Sequence, residues 1–397
     1  MNTAATMSTT VTPADTTDER ALLRDAALRY VQRDYGFDAR KHSAALPDGF
    51  SRERWQAFAE MGWLALNLPE DCDGFGDATD ASIVAHALGR ATAVEPWLAH
   101  LGLCAPALIA CRVQALHDGE PAAAQRAEAL LRGLAAGQQM LGLAALEPQG
   151  RHDAFDVQTR AHAQSDGTWR LDGTKTLVLG GGTADTLLVL ARESGAPRDP
   201  TGLSLFAVPA DAAGLSRRHW PTYDGRQCAD LRLAGVTVLA DARLASPQHG
   251  WAVVEAALDH GTALACMEAV GTMSRVLELT KDYLQQRRQF GRTLIGNQVL
   301  RHRLVDLFVA IEQARAISAA AIDRLSDTPQ ARRRAVSMAK AFVSPAARRC
   351  AEEGVQLHGA IGMTDETEIG QAAKRLTGFA NLLGDEAWHL ERLQAAA

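Results

Sequence analysis

The sequence predicts a mainly α-helical protein with a β-rich domain in the middle of the chain. Apolar residues recur at helical spacing before about residue 139 and again after about residue 247. Between these two parts, short β-rich runs alternate with turn sequences. The 397 residues exceed the usual size of a single hydrophobic core, so several domains are expected. We therefore expect a flexible tail over 1–18, a helical domain over 19–139, a β domain over 140–246 and a helical bundle over 247–397.

The N-terminal part predicts a tail followed by helices. Residues 1–18 are rich in Thr, Ala, Ser and Asp and show no apolar period, which is typical of a disordered tail. From Glu19 onward apolar residues recur every three to four positions, and the runs 97–116 and 121–135 are dense in Ala and Leu. A stretch with Pro, Asp and Gly over 69–76 predicts a loop between the helices.

The middle part predicts a small antiparallel β-sandwich or barrel. Its short runs are rich in β-branched and large apolar residues, and turn sequences such as Asp-Gly and Gly-Gly-Gly separate them. This close spacing favours an antiparallel arrangement over parallel βαβ units, which need a helix between strands. The runs are 169–171, 176–179, 186–190, 203–208 and 236–239.

The C-terminal part predicts a helical bundle, because its apolar residues repeat at bundle spacing. The repeating positions are Ala263, Val270, Leu277 and Leu284, followed by Leu300, Leu304, Leu307, Ile311, Ala314 and Ser318. A third helix is expected from about Ala331 to Leu357. Because Pro345 lies inside it, we expect a kink there or a break between Val343 and Ser344.

Composition excludes several classes of function. Asp and Glu number 47 and Lys and Arg 41, so the net charge of −6 disfavours nucleic acid or an anionic membrane as the main partner. The longest apolar run, 101–111, is about half of the roughly 20 residues that a membrane span needs. No secretory signal follows the first Met, and the six cysteines show no metal-ligand spacing. We expect a cytoplasmic protein with reduced cysteines and no metal.

Two segments of the C-terminal part carry possible phosphate-binding chemistry. The segment 287–292, Arg-Arg-Gln-Phe-Gly-Arg, ends a long helix and suits either a solvated basic helix end or a phosphate clamp. The segment 356–366 combines a helix end, a Gly-rich turn and an Asp-Glu helix start. It suits either ordinary helix caps or an anion site built from exposed N–H groups. Neither segment alone is a specific sign of phosphate binding. Their occurrence together, in this order and on these helix ends, is a strong sign.

These segments are part of a resemblance to the acyl-CoA dehydrogenase superfamily from about residue 19 to the C-terminus. The other matching segments are 62–70, 169–175, 184–192, Gln298 and 356–364. The resemblance implies a helical N-terminal domain, a middle β domain, a C-terminal four-helix bundle and bound FAD. It also implies α,β-desaturation of an acyl-CoA thioester, in which a Glu removes the α-proton.

This sequence departs from the family at both positions that supply the Glu. The first directly precedes Gly384 and holds Leu383. The second lies in the pattern Leu-Asp-x-Glu-Arg and holds Gly261. Neither side chain can accept a proton, so the resemblance assigns no catalytic residue. Asp385 and Glu386, beside the first position, are the weak candidates for a displaced base, and helix capping is the alternative for Asp385.

The positions that would contact the flavin ring also depart from the family. Leu146 replaces the Thr of Thr-Glu-Pro, and 151–153 reads Arg-His-Asp in place of Gly-Ser-Asp. Leu177-Val-Leu179 replaces Trp-Ile-Thr/Ser, so hydroxyl groups are lost where the ring would accept or donate hydrogen bonds. His152 and His260 could be acid–base groups, but a structural role is more common for a single His.

The elements that hold the adenosine diphosphate end of FAD in a neighbouring subunit are retained. By resemblance the cofactor-binding residues are Arg287, Gln289, Phe290, Gln298, Gln356 and Gly359, with Ala360 in place of a second Gly. The chain therefore looks able to complete the FAD site of a partner and unable to complete its own.

This asymmetry is similar to that of the small subunits of heteromeric acyl-CoA dehydrogenases, such as the pimeloyl-CoA dehydrogenase small subunit and steroid side-chain enzymes. The implied partner is a homologous catalytic subunit in an α₂β₂ heterotetramer, with shared FAD, a bulky steroid-derived or dicarboxylic acyl-CoA substrate and electron-transfer flavoprotein as acceptor. Two alternatives stay open. One is a homo-oligomeric flavoenzyme that uses Asp385 or Glu386 as base, and the other is a flavin-free scaffold on the same fold.

Overall fold

The computed structural model describes residues 13–289 and 291–395 of the chain. Helix α1 begins at Pro13, so the predicted tail was wrong for residues 13–18, and residues 1–12 lie outside the described residues. The N-terminal helices are α1 Pro13–Arg33, α2 Phe37–Ala45, α3 Arg52–Glu60, α4 Ala78–Arg90, α5 Ala105–Asp118 and α6 Pro121–Ala135. Local sequence explains several of their starts. Asp77 and Asp80 form a capping box at α4, and Pro121 occupies the first turn of α6.

A π-helical segment, Leu98–Cys104, runs directly into α5. The combined stretch Leu98–Asp118 is long and apolar enough to span a membrane, but 67% of its apolar 18-residue window is buried inside the protein. Leu98, Leu101 and Leu108 belong to the main hydrophobic core. We therefore assign this stretch to the core, where the burial of its apolar side chains stabilises the fold.

The middle domain is built on one eight-stranded sheet with its own second core, which includes Leu187, Phe206 and Leu231. Its strands are β1 Leu141–Ala144, β2 Arg160–Ala163, β3 Trp169–Leu179, β4 Thr186–Arg192, β5 Leu203–Pro209, β6 Leu215–Pro221, β7 Gln227–Val238 and β8 Arg243–Ala245. The order is β6-β7-β3-β2-β4-β5-β8, and β1 pairs with β4. The predicted antiparallel pairing holds for most neighbouring strands, and the pairings of β4 with β1 and β2 are parallel, so the sheet is mixed.

The C-terminal helices form the predicted bundle. They are α7 Gly250–Gln286, α8 Gln298–Ile322, α9 Pro329–His358, α10 Glu368–Phe379 and α11 Glu386–Ala395, with the short strands β9 Arg288–Gln289 and β10 Arg292–Thr293 between α7 and α8. Helix α9 runs through Pro345 without the break predicted between Val343 and Ser344. Both of those residues are buried, so packing holds the helix together across the proline. The fold class, mainly helical with a central β domain, is confirmed.

A buried ion network joins the three parts of the chain. Arg375 of α10 lies 2.6 Å from Asp224 of the middle domain, pairs with Glu268 of α7 and donates to the carbonyl of Ala93 at 2.7 Å. Burial alone would raise the pKa of Asp224, but Arg226 and Arg375 outweigh that effect and hold the pKa well below its usual range. Because the network is buried, it fixes how the helical and β parts meet around the candidate site.

Candidate active site

Leu383 occupies the loop between α10 and α11, at the first position that the resemblance assigns to the Glu. Its backbone is left-handed, with φ 57°, and the next residue, Gly384, also has a positive φ of 104°. The Leu383 carbonyl lies 3.0 Å from Nε2 of His389, and its side chain packs against the core. The loop therefore presents a hydrocarbon side chain where the reaction would need a carboxylate.

Buried polar side chains of α9 and α11 hold the loop between α10 and α11 in place. Lys340 of α9 donates from Nζ to the carbonyls of Gly384 at 2.7 Å and Ala380 at 3.3 Å, and the ammonium lies 4.5 Å from the centroid of the Phe379 ring. Burial lowers the pKa of Lys340 to about 8. Burial also lowers the pKa of His389 to about 3. Both side chains contact backbone carbonyl groups of the loop. Neither was predicted from the sequence. The one indication was a Lys between Ala and Phe residues in a helix whose apolar positions are buried.

Gly261 occupies the second position, in the middle of α7, and a carboxylate has no room there. A Cβ atom at residue 261 would lie 2.4 Å from Cδ2 of Leu103 and 3.1 Å from the carbonyl oxygen of Gly102. The missing side chain allows the π-helical segment to pack directly against α7. The absence of a base at this position is therefore built into the helix packing.

The predicted stray candidates have structural partners. Asp385 caps α11, because its Oδ1 accepts the backbone N–H of Trp388 at 2.8 Å, and this bond lowers the pKa of the carboxyl group. Its Oδ2 lies 3.4 Å from Nε2 of His152. Glu386 lies 4.0 Å from Arg348 on the first turn of α11. His260 is buried, with Nε2 2.9 Å from the Asn67 amide nitrogen, and burial lowers its pKa to about 4.

A cavity of about 550 Å³ lies between the middle domain, α7 and α11, beside Leu383. Trp388 bridges two of its walls, since the indole N–H donates to Oδ1 of Asp153 at 2.8 Å. Aromatic rings of Phe155 and Trp251 meet edge to face on another wall, with centroids 5.6 Å apart. The cavity brings together the predicted residues Leu146, His152, Asp153, Leu383 and Gly384.

The buried carboxylates of this cavity are committed to ion pairs. Asp259 lies 3.0 Å from Arg332 and 2.6 Å from Arg392. Glu255 lies 2.9 Å from Arg333 and 3.4 Å from Arg392. Each carboxylate is thus held between two guanidinium groups, and these ion pairs occupy its oxygen atoms.

The residues at the flavin-ring positions do not fit an isoalloxazine ring. Leu177 is left-handed, with φ 54°, and 48% exposed at a bulge where β3 loses register with β7. Leu146, Leu177 and Leu179 offer no side-chain hydrogen bond to ring nitrogen or oxygen atoms. Glu147 beside them is buried and lies 2.8 Å from Nζ of Lys175. Burial would raise the pKa of Glu147, but Lys175 outweighs it and lowers the pKa to about 2, so this pair is structural.

The predicted pyrophosphate-clamp residues lie at one end of the bundle and fit phosphate groups. Arg287 ends α7, Gln298 begins α8 and Gln356 lies in the last turn of α9, and all three are exposed. Gln289, Gly359 and Ala360 are exposed as well, whereas Phe290 lies outside the described residues. Guanidinium, amide and backbone N–H donors of this kind suit phosphate oxygens.

Comparison with known proteins agrees with this arrangement along the chain. Models of the acyl-CoA dehydrogenase N-terminal, middle and C-terminal domains match residues 17–113, 142–236 and 248–397. The chain belongs to the acyl-CoA dehydrogenase family. Members of this family are oxidoreductases that use FAD, so a flavin is implied for this acyl-CoA dehydrogenase homologue as well. Among the described residues, no group of three or more His, Cys, Asp or Glu is placed to hold a metal.

Similar proteins cover nearly the whole chain. Acyl-CoA dehydrogenase IpdE2 of Mycobacterium tuberculosis is 29% identical over 95% of this chain and 97% of its own length. The structure of a Tcur3481-Tcur3483 steroid ACAD is 25% identical, with a TM-score of 0.81 over 96% of this chain and 98% of that one. The ChsE4-ChsE5 complex from Mycobacterium tuberculosis shares the fold, with 23% identity and a TM-score of 0.80 over 98% of each chain.

Proposed function

We propose that this family member is the subunit without a catalytic base in a heteromeric FAD-dependent acyl-CoA dehydrogenase. The proposal depends on one asymmetry. Leu383 and Gly261 fill both base positions, whereas the pyrophosphate-clamp residues around Arg287 are retained and exposed. The chain would thus complete the FAD site of a homologous catalytic subunit, which supplies the Glu and the flavin-ring pocket.

The role of this chain is then to bind and orient, not to transfer protons. A bound FAD would supply the hydride acceptor for the β-carbon of the thioester. Arg287 would bind phosphate oxygens of the cofactor through its guanidinium group. Gln356 and the exposed N–H groups of the turn at Gly359 would add neutral donors. Such contacts raise the affinity for FAD without any group of this chain reaching the reacting carbon atoms.

Exposed apolar side chains on the bundle support a partner subunit. Val305, Phe308 and Val309 of α8 are 58%, 53% and 47% exposed. Met338 and Phe342 of α9 are 45% and 40% exposed. Large apolar side chains grouped on neighbouring helices commonly mark a protein interface, and these helices also carry Gln298 and Gln356. We infer that a homologous subunit docks here, in an α₂β₂ heterotetramer. The analogy is with the similar structures whose names list two different proteins, Tcur3481-Tcur3483 and ChsE4-ChsE5.

The substrate, electron acceptor and compartment follow from similarity. A steroid-derived or dicarboxylic acyl-CoA is our proposed substrate, because a similar structure is named a steroid ACAD. We propose electron-transfer flavoprotein as the acceptor, in line with the resemblance. The six cysteines are buried free thiols, which supports the proposed cytoplasmic location, where thiols stay reduced.

The stoichiometry of FAD tests the proposal. The chain is purified alone and, separately, co-expressed with a homologous subunit that retains the Glu. We expect no flavin and no ferrocenium-coupled desaturation for the chain alone. The complex should carry one FAD per pair of unlike chains and should be active. One FAD per chain, or activity of the chain alone, would contradict the proposal and favour a homo-oligomer with a displaced base.

Flavin-free protein that forms no complex with any Glu-containing homologue would instead favour the scaffold alternative. The homo-oligomer and the scaffold differ in flavin absorbance measured at equal protein concentration. The scaffold and the proposed subunit differ in whether a complex with a Glu-containing homologue forms.

A further inference from the structure

We propose that Tyr283 and His358 are positioning residues of the pyrophosphate clamp, an inference that rests on the proposed function. Their rings stack with centroids 4.6 Å apart and an angle of 25° between the planes. Tyr283 lies in the last part of α7 and His358 is the last residue of α9. The stack therefore joins the ends of the two helices that carry the two halves of the clamp.

The first half of the clamp, Arg287, lies one helical turn after Tyr283. The backbone N–H of Arg287 donates to the carbonyl of Tyr283 at 2.8 Å, which is the last hydrogen bond of α7. The carbonyl of Arg287 in turn accepts the N–H of Leu294 at 2.9 Å. The backbone of Arg287 is thus fixed to the turn of helix that holds the Tyr283 ring.

The second half follows directly from His358. The next residue, Gly359, has a φ of 72° and begins the turn Gly359–Met363. Within the described part of the chain, a Cβ atom at Gly359 would meet nothing within 4 Å, so no side chain of that part holds the turn on that side. At Gly362 a Cβ would lie 2.9 Å from the carbonyl oxygen of Val355 and 3.2 Å from Cβ of His358, so the turn packs back onto the end of α9 that His358 closes. The position of the turn therefore depends on the position of His358.

The chemistry of the pair suits this role. Nδ1 of His358 lies 2.8 Å from the carbonyl oxygen of Gly354, one turn earlier, which orients the ring. Burial lowers the pKa of His358, so the imidazole is neutral near pH 7 and stacks on the phenol ring without a charge to solvate. If the stack is lost, Arg287 and the turn can move relative to each other, and a ligand must hold both in register at its own entropic cost.

The test compares three variants in the complex with the catalytic subunit. FAD is stripped and its Kd is measured on reloading for Tyr283→Leu, Tyr283→Phe and Arg287→Ala. We expect Tyr283→Leu to raise the Kd about 3- to 10-fold, on the scale of one aromatic pair. Tyr283→Phe keeps the ring and should stay within about twofold of the unchanged complex. Riboflavin, which has the ring system but no pyrophosphate, should bind all variants equally.

Each outcome separates this inference from the proposed function. Arg287→Ala that weakens FAD binding while Tyr283→Leu leaves it unchanged overturns the positioning role alone. If Arg287→Ala leaves the Kd for FAD unchanged, the proposal that this chain contributes phosphate-binding residues to the FAD site of its partner is wrong. Tyr283→Leu could weaken riboflavin binding as much as FAD binding. It could also lower the melting temperature of the complex while Tyr283→Phe fails to keep FAD binding near that of the unchanged complex. Either result would mean that the stack serves only to hold the bundle together.

Discussion

Gly102 and Gly261 lie against each other where the π-helical segment crosses α7. A Cβ atom added to Gly102 would lie 3.3 Å from Cα of Gly261, and one added to Gly261 would lie 3.1 Å from the carbonyl oxygen of Gly102. Two helices can approach this closely only where both lack side chains. The contact fills the space beside one of the two base positions, so restoring a carboxylate there would require the helices to separate.

Gly261→Ala is therefore expected to destabilise the chain, although alanine is the better helix former. The new methyl group would lie 2.4 Å from Leu103, and overpacking of this kind costs about 1–3 kcal/mol in free energy of unfolding. Gly378→Ala in α10 is the matched control, because a Cβ there meets only Asp224 atoms at 3.9 Å and 4.0 Å. It should raise stability by up to ~1 kcal/mol. Urea unfolding of both variants checks the opposite signs, and a neutral Gly261→Ala would contradict the close packing.

Leu383→Glu should not turn the isolated chain into a dehydrogenase. The Glu would regain the base position, but Leu177 and Leu179 would still leave the flavin ring without polar partners. A carboxylate in this partly buried loop would also need a partner, and an unpaired one should lower stability. Leu383→Gln, of the same size without the charge, is the control. Ferrocenium reduction with a panel of acyl-CoA thioesters is the measurement, and turnover by the single variant would show that the ring half-site functions.

Leu177→Asn should stabilise the protein. Leu177 holds a left-handed backbone, which costs most residues about 1–2 kcal/mol and costs Asn less. The side chain is 48% exposed, so little apolar burial is lost by the change. Leu239, 66% exposed with φ −68°, is the control, and Leu239→Asn should bring no such gain. Denaturant midpoints compare the two, and equal effects would mean that the Leu177 backbone carries no strain.

Linear motifs supplied most of the predicted site residues. Leu383 and Gly261 could be assigned because short patterns around them are specific, and the helical periods located the bundle. Pro345 shows the limit of local reasoning, because a proline predicts a kink or a break, and α9 continues through it without a break where Val343 and Ser344 are buried. The parallel pairing of β1 with β4 is likewise set by strands far apart in the chain.

Several contacts at the candidate sites join residues that are remote in sequence. Trp388 bonds Asp153 across 235 positions, and no single-sequence pattern pairs them. The stack of Tyr283 on His358 is similar, since each residue is unremarkable in its own helix. Local sequence thus indicated which residue types the site holds, whereas tertiary packing determined which of them touch.

Folding stability should fall as the pH drops from about 6.5 toward 4, because three buried histidines and the half-buried His86 are held neutral. Burial lowers the pKa of His100 and His260 to about 4 and that of His86 and His389 to about 3. The unfolded chain takes up protons on these rings near its ordinary pKa of 6.5, while the folded chain does not. In that window the unfolded state binds more protons, so stability rises with pH and is lost on acidification.

Each histidine contributes up to ~1.4 kcal/mol per pH unit within its window, so the summed effect should be steep. His100 gives the clearest single test, because its Nε2 accepts the N–H of Leu141 at 2.8 Å and its Nδ1 donates to the carbonyl of Pro96 at 2.8 Å. Protonation of Nε2 would break the first bond inside the core. His100→Gln should lower stability at pH 7 but flatten its dependence between pH 6.5 and 4, relative to the unchanged protein. Urea midpoints at half-unit pH steps measure both slopes, and an unchanged slope in His100→Gln would mean that His100 is not among the groups that bind protons on unfolding.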